Sequence, residues 1–253
     1  MKALITFGCS WTKGIGSWYD NDIPFDEFDN IKLAIHNRDD DEDYCHSFRK
    51  ILSKRHGYEN VNFATGGSAN NRQIRFAEEY FNADDYKKYD EVIVLWGITS
   101  TARLELWEIS KEKYSNFFFT SKKYEVGKII LKEHYDHDVE VKRLSTQIKH
   151  WDNYFEMIGV KNYWFDTFNH HDYEYNSSNM IMGSEMNRDL MSRLCKDQGF
   201  LFDKDDYHHS NWRRDSDRIK FLLTNNLVNP YSLHPNKKAS LMLADILDKH
   251  ILW

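Results

Sequence analysis

Apolar residues along this chain fall into two rhythms: short unbroken runs, and longer stretches where they return at helical spacing. Ala3–Phe7 is the first run and is closed by Gly8. Glu91–Trp96 (EVIVLW) is the clearest, β-branched and closed by Gly97. Runs of this kind read as strands buried on both faces. Asn60–Ala64 and Asn162–Thr167 are shorter strands of the same type. Helices separate them. One lies near Tyr44–His56, with Phe48, Ile51 and Leu52 on one face and Gly57 as its stop. A second carries Ile74, Ala77 and Phe81, a third lies near Val139–Ile158, and a fourth runs roughly over Glu185–Gln198 and ends at Gly199. The last follows Pro235 and turns Ala239, Met242, Leu243, Ile246 and Leu247 to the core. Strands alternating with helices predict an α/β fold, a parallel sheet covered on both faces. Residues 14 to 41 read as an irregular excursion, 101 to 135 as a helix followed by an insertion, and 203 to 216 as a polar loop. The expectation is one domain over residues 1–253 with a cap inserted at roughly 101–158.

Composition narrows the function classes. In 253 residues, 41% hydrophobic and 29% charged is ordinary for a globular chain, and 11 Gly with 3 Pro leave no linker. Acidic residues outnumber basic ones 40 to 34, so charge makes no case for nucleic acid or an anionic membrane as partner. The acidic run Asp39–Asp43 lacks the Gly and distal Glu of a calcium loop and reads as solvated surface. Cys9, Cys45 and Cys195 are an odd count without CxxC spacing, which points to a reducing compartment. The opening MKALITFGCSW is too short an apolar run for a signal peptide, so the expected place is the cytoplasm where the chain is made. Aromatic residues are abundant (8 Trp, 15 Tyr, 16 Phe); most should pack, and some could line a sugar-binding groove.

Chemistry concentrates at three glycine turns that each follow a predicted strand: Gly8-Cys9-Ser10, Gly66-Gly67-Ser68 and Gly97-Ile98-Thr99. In an open parallel sheet, loops at the carboxyl ends of the strands converge on one crevice. Leu233-His234-Pro235, just before the last helix, can present an imidazole there. Ser10 sits on a strand-to-helix turn between Gly8 and Gly14, which suits a nucleophile, and His234 suits a general base. The amides of Ser10 and Gly67 are candidate oxyanion donors.

These residues also carry a family resemblance. GCSWTKG (Gly8–Gly14) resembles the first block of the SGNH/GDSL hydrolases, and NFATGGSANNR (Asn62–Arg72) their second, with Gly67 at the oxyanion glycine. WGITS (Trp96–Ser100) stands where the third block should be, and SLHPN (Ser232–Asn236) resembles the last. The blocks occur in family order over nearly the whole chain. A variant pattern of this kind is also similar to SGNH-like proteins of tailed bacteriophages. The resemblance implies a three-layer, flavodoxin-like fold with a five-stranded parallel sheet, ester or acyl hydrolysis, and no metal or organic cofactor.

Departures from the family pattern are specific. Cys9 replaces the first-block Asp, and Thr99 stands in place of the third-block Asn, whose side chain helps hold the oxyanion; Asn70 or Asn71 could compensate. Tyr231 occupies the position of the acid that orients the histidine, a loss worth about four orders of magnitude in rate in Ser-His-Asp enzymes. Asp203, Asp205 and Asp206 are substitutes to consider. Trp11, Asn70, Asn71 and Arg103 are candidate substrate contacts. Plainer roles exist for each: Ser10 as a helix cap, Gly66-Gly67 as a tight turn, Thr99 and Ser100 as caps, Arg72 and Arg103 in ion pairs. His170-His171, His208-His209, His134 and His137 lack metal-site spacing and read as surface histidines. Cys9 has no base aimed at it.

The expected activity is hydrolysis of a carboxylic ester, an O-acyl group on a glycan or related small molecule, through Ser10 and His234. Two alternatives remain open in the sequence. One is an SGNH-fold binding or structural module with a virion partner, favoured by Tyr231 and Thr99. The other is an acyltransferase acting on sugars.

Overall fold

The computed structural model describes residues 1–17, 46–118, 129, 133, 135–167, 171–181, 189–200, 216–230 and 233–253. Four parallel strands form its centre: β1 (Lys2–Phe7), β2 (Glu59–Asn62), β3 (Glu91–Ile98) and β6 (Lys161–Asp166), in the spatial order β2-β1-β3-β6. Where the resemblance implies five strands, the described residues hold four. Beyond β6 there are isolated parallel bridges, Trp164 with Met180 and Asp166 with Asp189.

Side chains of successive strand residues point to opposite faces, and each face has its own core. Leu4, Ile93, Leu95, Tyr163 and Phe165 face one way. They pack against Phe48 and Leu52 of α2 (Phe48–His56), Leu190 and Leu194 of α5 (Leu190–Asp197), Leu222 of α6 (Ser216–Thr224) and Leu243 and Leu247 of α7 (Lys237–Asp248). Ala3, Ile5, Phe7, Val94, Trp96 and Trp164 face the other way, onto Ile74, Ala77 and Phe81 of α3 (Asn70–Asn82) and Leu144, Ile148 and Phe155 of α4 (His137–Ile158). This is a three-layer α/β architecture. Each large aliphatic chain so buried contributes about 1.5–3 kcal/mol.

Three expectations are corrected. The stretch after Thr101 is not a helix but an antiparallel hairpin, β4 (Arg103–Glu108) and β5 (Lys113–Phe118), with Glu112 in the left-handed region at φ 48°. Its buried residue on β4 is Glu105, not an apolar one, because the hairpin docks on α3 through charge. A helix at Ser216–Thr224 occupies sequence that carried no predicted element. His171 is buried rather than on the surface: its ring Nδ1 lies 2.9 Å from Asp166 Oδ1. Residues 18–45 and 201–215 lie outside the described residues, and with them the excursion, Cys45 and the polar loop.

Candidate active site

The site is assembled around a short helix, α1 (Ser10–Lys13), at the carboxyl end of β1. Cys9 is its cap residue and Ser10 its first helical residue, so Ser10 is not the cap that the plainer role would make it. Three contacts bring the other turns to this helix. The amide of Thr65 donates to the carbonyl of Gly8 at 3.2 Å, which seats the Gly66-Gly67 turn beside it. Thr12 fits between Gly8 and Gly97, and a Cβ on either glycine would collide with its hydroxyl; the ends of β1 and β3 are thereby closed onto α1. Gly16 lies against the histidine loop, where a Cβ would stand 2.8 Å from His234 Cβ and 3.0 Å from the Pro235 carbonyl oxygen.

Residues 224 positions apart consequently meet. His234 Nε2 lies 2.8 Å from Ser10 Oγ. The loop that presents the imidazole is tightly bonded: Asn229 N donates to His234 O at 2.8 Å, Leu233 N to Asn229 O at 2.8 Å, and Asn236 N to Leu227 O at 3.1 Å. Leu233 holds φ 55°, a left-handed backbone that costs a non-glycine residue about 1 kcal/mol or more. Asn236 then caps α7 by accepting from Ala239 N at 2.9 Å. The imidazole is thus aimed by backbone bonds and a helix start, with Trp11 alongside at 6.4 Å between ring centroids.

Other expected site residues divide. Gly67 sits in its turn at φ 70°, half-buried. Thr99 is fully buried directly after β3, and its hydroxyl has no hydrogen-bond partner among the described residues. Arg103 opens β4, opposite Phe118. Trp11 is corrected from substrate contact to packing residue: 2% exposed, it belongs to the core with Leu4 and Phe48. Asn70 and Asn71 are half-buried, and both carboxamides hold backbone groups. Thr99 N donates to Asn70 Oδ1 and Asn70 Nδ2 to Thr99 O, each at 2.9 Å. Glu105 N donates to Asn71 Oδ1 at 3.0 Å, and Asn71 Nδ2 to Glu105 O at 2.8 Å. Tyr231, Asp203, Asp205 and Asp206 lie outside the described residues.

No family model and no curated protein matches the chain. Its structural neighbours are G-D-S-L proteins. A protein of the lipolytic G-D-S-L family from Desulfitobacterium hafniense DCB-2 is similar over 99% of this chain and 99% of its own, at 13% identity and a TM-score of 0.41. An acetyl xylan esterase, AlAXEase, is similar over 100% of both chains at 14% identity and a TM-score of 0.37. A member of the lipolytic G-D-S-L family from Veillonella parvula DSM 2008 covers 98% of this chain and 97% of its own, at 12% identity and a TM-score of 0.33.

Charge near the site is concentrated where the hairpin docks. Glu105, 6% exposed, accepts from Arg75 Nε at 2.9 Å and Nη2 at 3.0 Å and pairs with Arg72 Nε at 3.2 Å. Burial lowers the Arg72 guanidinium from its ordinary range, with Arg75 adding repulsion, while the hydrogen bond to Glu105 raises Arg75. Arg72 is therefore held in a structural pair rather than free for a substrate anion. Behind the end of β3, Tyr135 OH and His137 Nδ1 lie 2.9 and 3.1 Å from Thr101 Oγ1, and burial pushes the Tyr135 hydroxyl up. Gly16 and Thr12 are site residues that the sequence pattern does not single out. The Gly14-x-Gly16 spacing is a signal for the first, and nothing in the chain marks the second. Cys9 and Cys195 are both buried, in the same core.

Proposed function

We propose that the chain is a serine ester hydrolase whose substrate is an O-acylated glycan or related small molecule. The 2.8 Å contact between Ser10 Oγ and His234 Nε2 carries this reading, since a hydroxyl becomes a nucleophile when a base within hydrogen-bond reach takes its proton. Ser10 Oγ attacks the acyl carbon while His234 Nε2 accepts the hydroxyl proton. The resulting oxyanion is held by the amides of Ser10 and Gly67, with the Thr99 hydroxyl as a third donor whose bonding capacity is otherwise unspent. Each such donor contributes roughly 3 kcal/mol to the transition state. Collapse breaks the ester C–O bond, and His234 returns its proton to the departing alcohol. Water, deprotonated by His234, then attacks the acyl-Ser10 ester, releasing the acid and restoring the serine.

Turnover of p-nitrophenyl acetate tests this directly. Ser10→Ala and His234→Ala should each lower kcat by about three orders of magnitude or more, and a fluorophosphonate should add to the wild-type chain at Ser10, located by mass spectrometry. Equal turnover in wild type and Ser10→Ala would end the proposal.

A further inference from the structure

Asn70 and Asn71, consecutive at the head of α3, make the same pair of bonds to two different residues. Each carboxamide accepts from a backbone N–H and donates to the C=O of the same residue, Thr99 for Asn70 and Glu105 for Asn71. Each thus imitates the edge of a neighbouring strand, and together they pin both ends of the arch from Thr99 to Glu105. The two ends differ in what surrounds them. At Glu105 the arch enters the hairpin, which Arg72 and Arg75 also hold. At Thr99 it leaves β3 beside the serine turn. Ile98 O there accepts from Thr167 N at 3.0 Å and Thr167 Oγ1 at 2.7 Å, and Gln73 Nε2 reaches Gly97 O at 3.3 Å. Asn70 is three residues beyond Gly67, so one rigid segment carries the second-turn glycine and the clamp on the third turn.

We infer that Asn70 is a positioning residue of the ester-cleaving site: by clamping Thr99 through both backbone groups, it sets the distance between the Gly67 and Thr99 arms of the oxyanion site. This inference rests on the hydrolase reading above. Asn70 itself need not touch substrate. Its effect falls on the step in which negative charge develops, because donors misplaced by a fraction of an ångström lose most of their worth there while ground-state binding changes little. Asn71, making the same bonds to Glu105, has no such effect.

The adjacent pair supplies its own control. Asn70→Ala and Asn71→Ala each remove a two-bond backbone clamp of the same kind, Asn70→Ala also losing a long 3.5 Å bond from Gln73 Nε2, so their unfolding midpoints should fall by similar amounts, with Asn70→Ala slightly lower. Steady-state kinetics on p-nitrophenyl acetate should separate them. Asn70→Ala should lower kcat ten- to a hundredfold with KM within about twofold of wild type, and Asn71→Ala should keep kcat within twofold. Labelling of Ser10 by a fluorophosphonate should slow in parallel with kcat. Amide hydrogen exchange should show Thr99 protected in wild type and Asn71→Ala and exposed in Asn70→Ala. If the two variants lose kcat equally, or Asn70→Ala loses none while Thr99 becomes exposed, the clamp is structural only and the inference is overturned. If wild type neither turns over nor labels, the hydrolase reading itself has failed and takes the inference with it; the exchange measurement then still reports whether the clamp exists.

Discussion

Gly16 is where backbone on the serine side packs against the histidine loop. Its φ of 102° is strained for any side chain, and a methyl there would press on His234 Cβ at 2.8 Å. Gly57 offers the matched comparison: φ 71°, ending α2, with open space for at least 4 Å around the place a methyl would take. Both Gly→Ala changes should cost about 1–2 kcal/mol of stability from backbone strain. Only Gly16→Ala should also displace the imidazole, lowering kcat/KM by roughly a hundredfold. Urea unfolding and esterase kinetics on the two variants check this, and an unaltered rate in Gly16→Ala would mean the loop is not aimed by that contact. At this scale the chain announces Ser10 and His234, because each stands at a fixed place relative to a strand end or helix start. It does not announce what Asn70 and Asn71 do. Their partners are backbone groups, which every residue has, so no side-chain pattern encodes the pairing.

Among the elements, the hairpin at Arg103–Phe118 shows where periodicity misleads. Arg-Leu-Glu-Leu-Trp-Glu alternates, as a strand should, yet the buried member of the alternation is the glutamate. Its apolar members, Leu104 and Leu106, are only half-buried, so the apolar alternation does not mark the face that docks. What docks this element is an Arg–Glu–Arg cluster, with Arg75 also stacked over the Tyr114 ring at 4.2 Å and Trp107 packed edge-on to Tyr114 at 5.1 Å. Removing one member of a buried charge cluster leaves the others unpaired, commonly at a cost of about 3 kcal/mol. Glu105→Ala should therefore release the hairpin before the rest of the chain unfolds. Limited proteolysis should cut within residues 103–118 while the far-ultraviolet circular dichroism melts near the wild-type temperature. A hairpin that resists protease in that variant would show the ion pairs to be incidental. The strands β1, β3 and β6, by contrast, are legible in the sequence because most of their residues are apolar and buried on both faces, with Thr6, Asn162 and Asp166 the buried polar exceptions.

For the whole molecule, the sheet stands between the two cores, so ties between strands bear on global stability. Glu91, at the start of β3, bridges Lys161 of β6 at 2.8 Å and Lys2 of β1 at 2.7 Å. Hydrogen bonds from Lys161, then Lys2, hold its carboxyl down at about 2, below the ordinary glutamate range. A depressed folded-state value means the carboxylate's stabilisation is present above the unfolded-state pKa, near 4.3, and is lost as pH falls towards 2. The pairs are partly solvated, so the contribution is about 1 kcal/mol. Glu91→Gln should be less stable than wild type by about that much at pH 6, and the difference should close between pH 4 and pH 2, as measured by urea unfolding; a gap constant with pH would place the effect in packing instead. The three-layer arrangement is readable in advance from the alternation of elements. Among the described residues four strands form the parallel sheet, with isolated bridges at Met180 and Asp189 beyond β6.

The spatial order β2-β1-β3-β6 puts the earliest strand in the middle of the sheet, while the imidazole that meets Ser10 comes from residue 234. During synthesis, then, residue 10 is made long before residue 234. On the hydrolase reading proposed above, the serine has its base only once the loop that presents His234 lies against α1 and Gly16. By the same reading, a fragment that ends before residue 234 should cleave no ester however well its sheet is built.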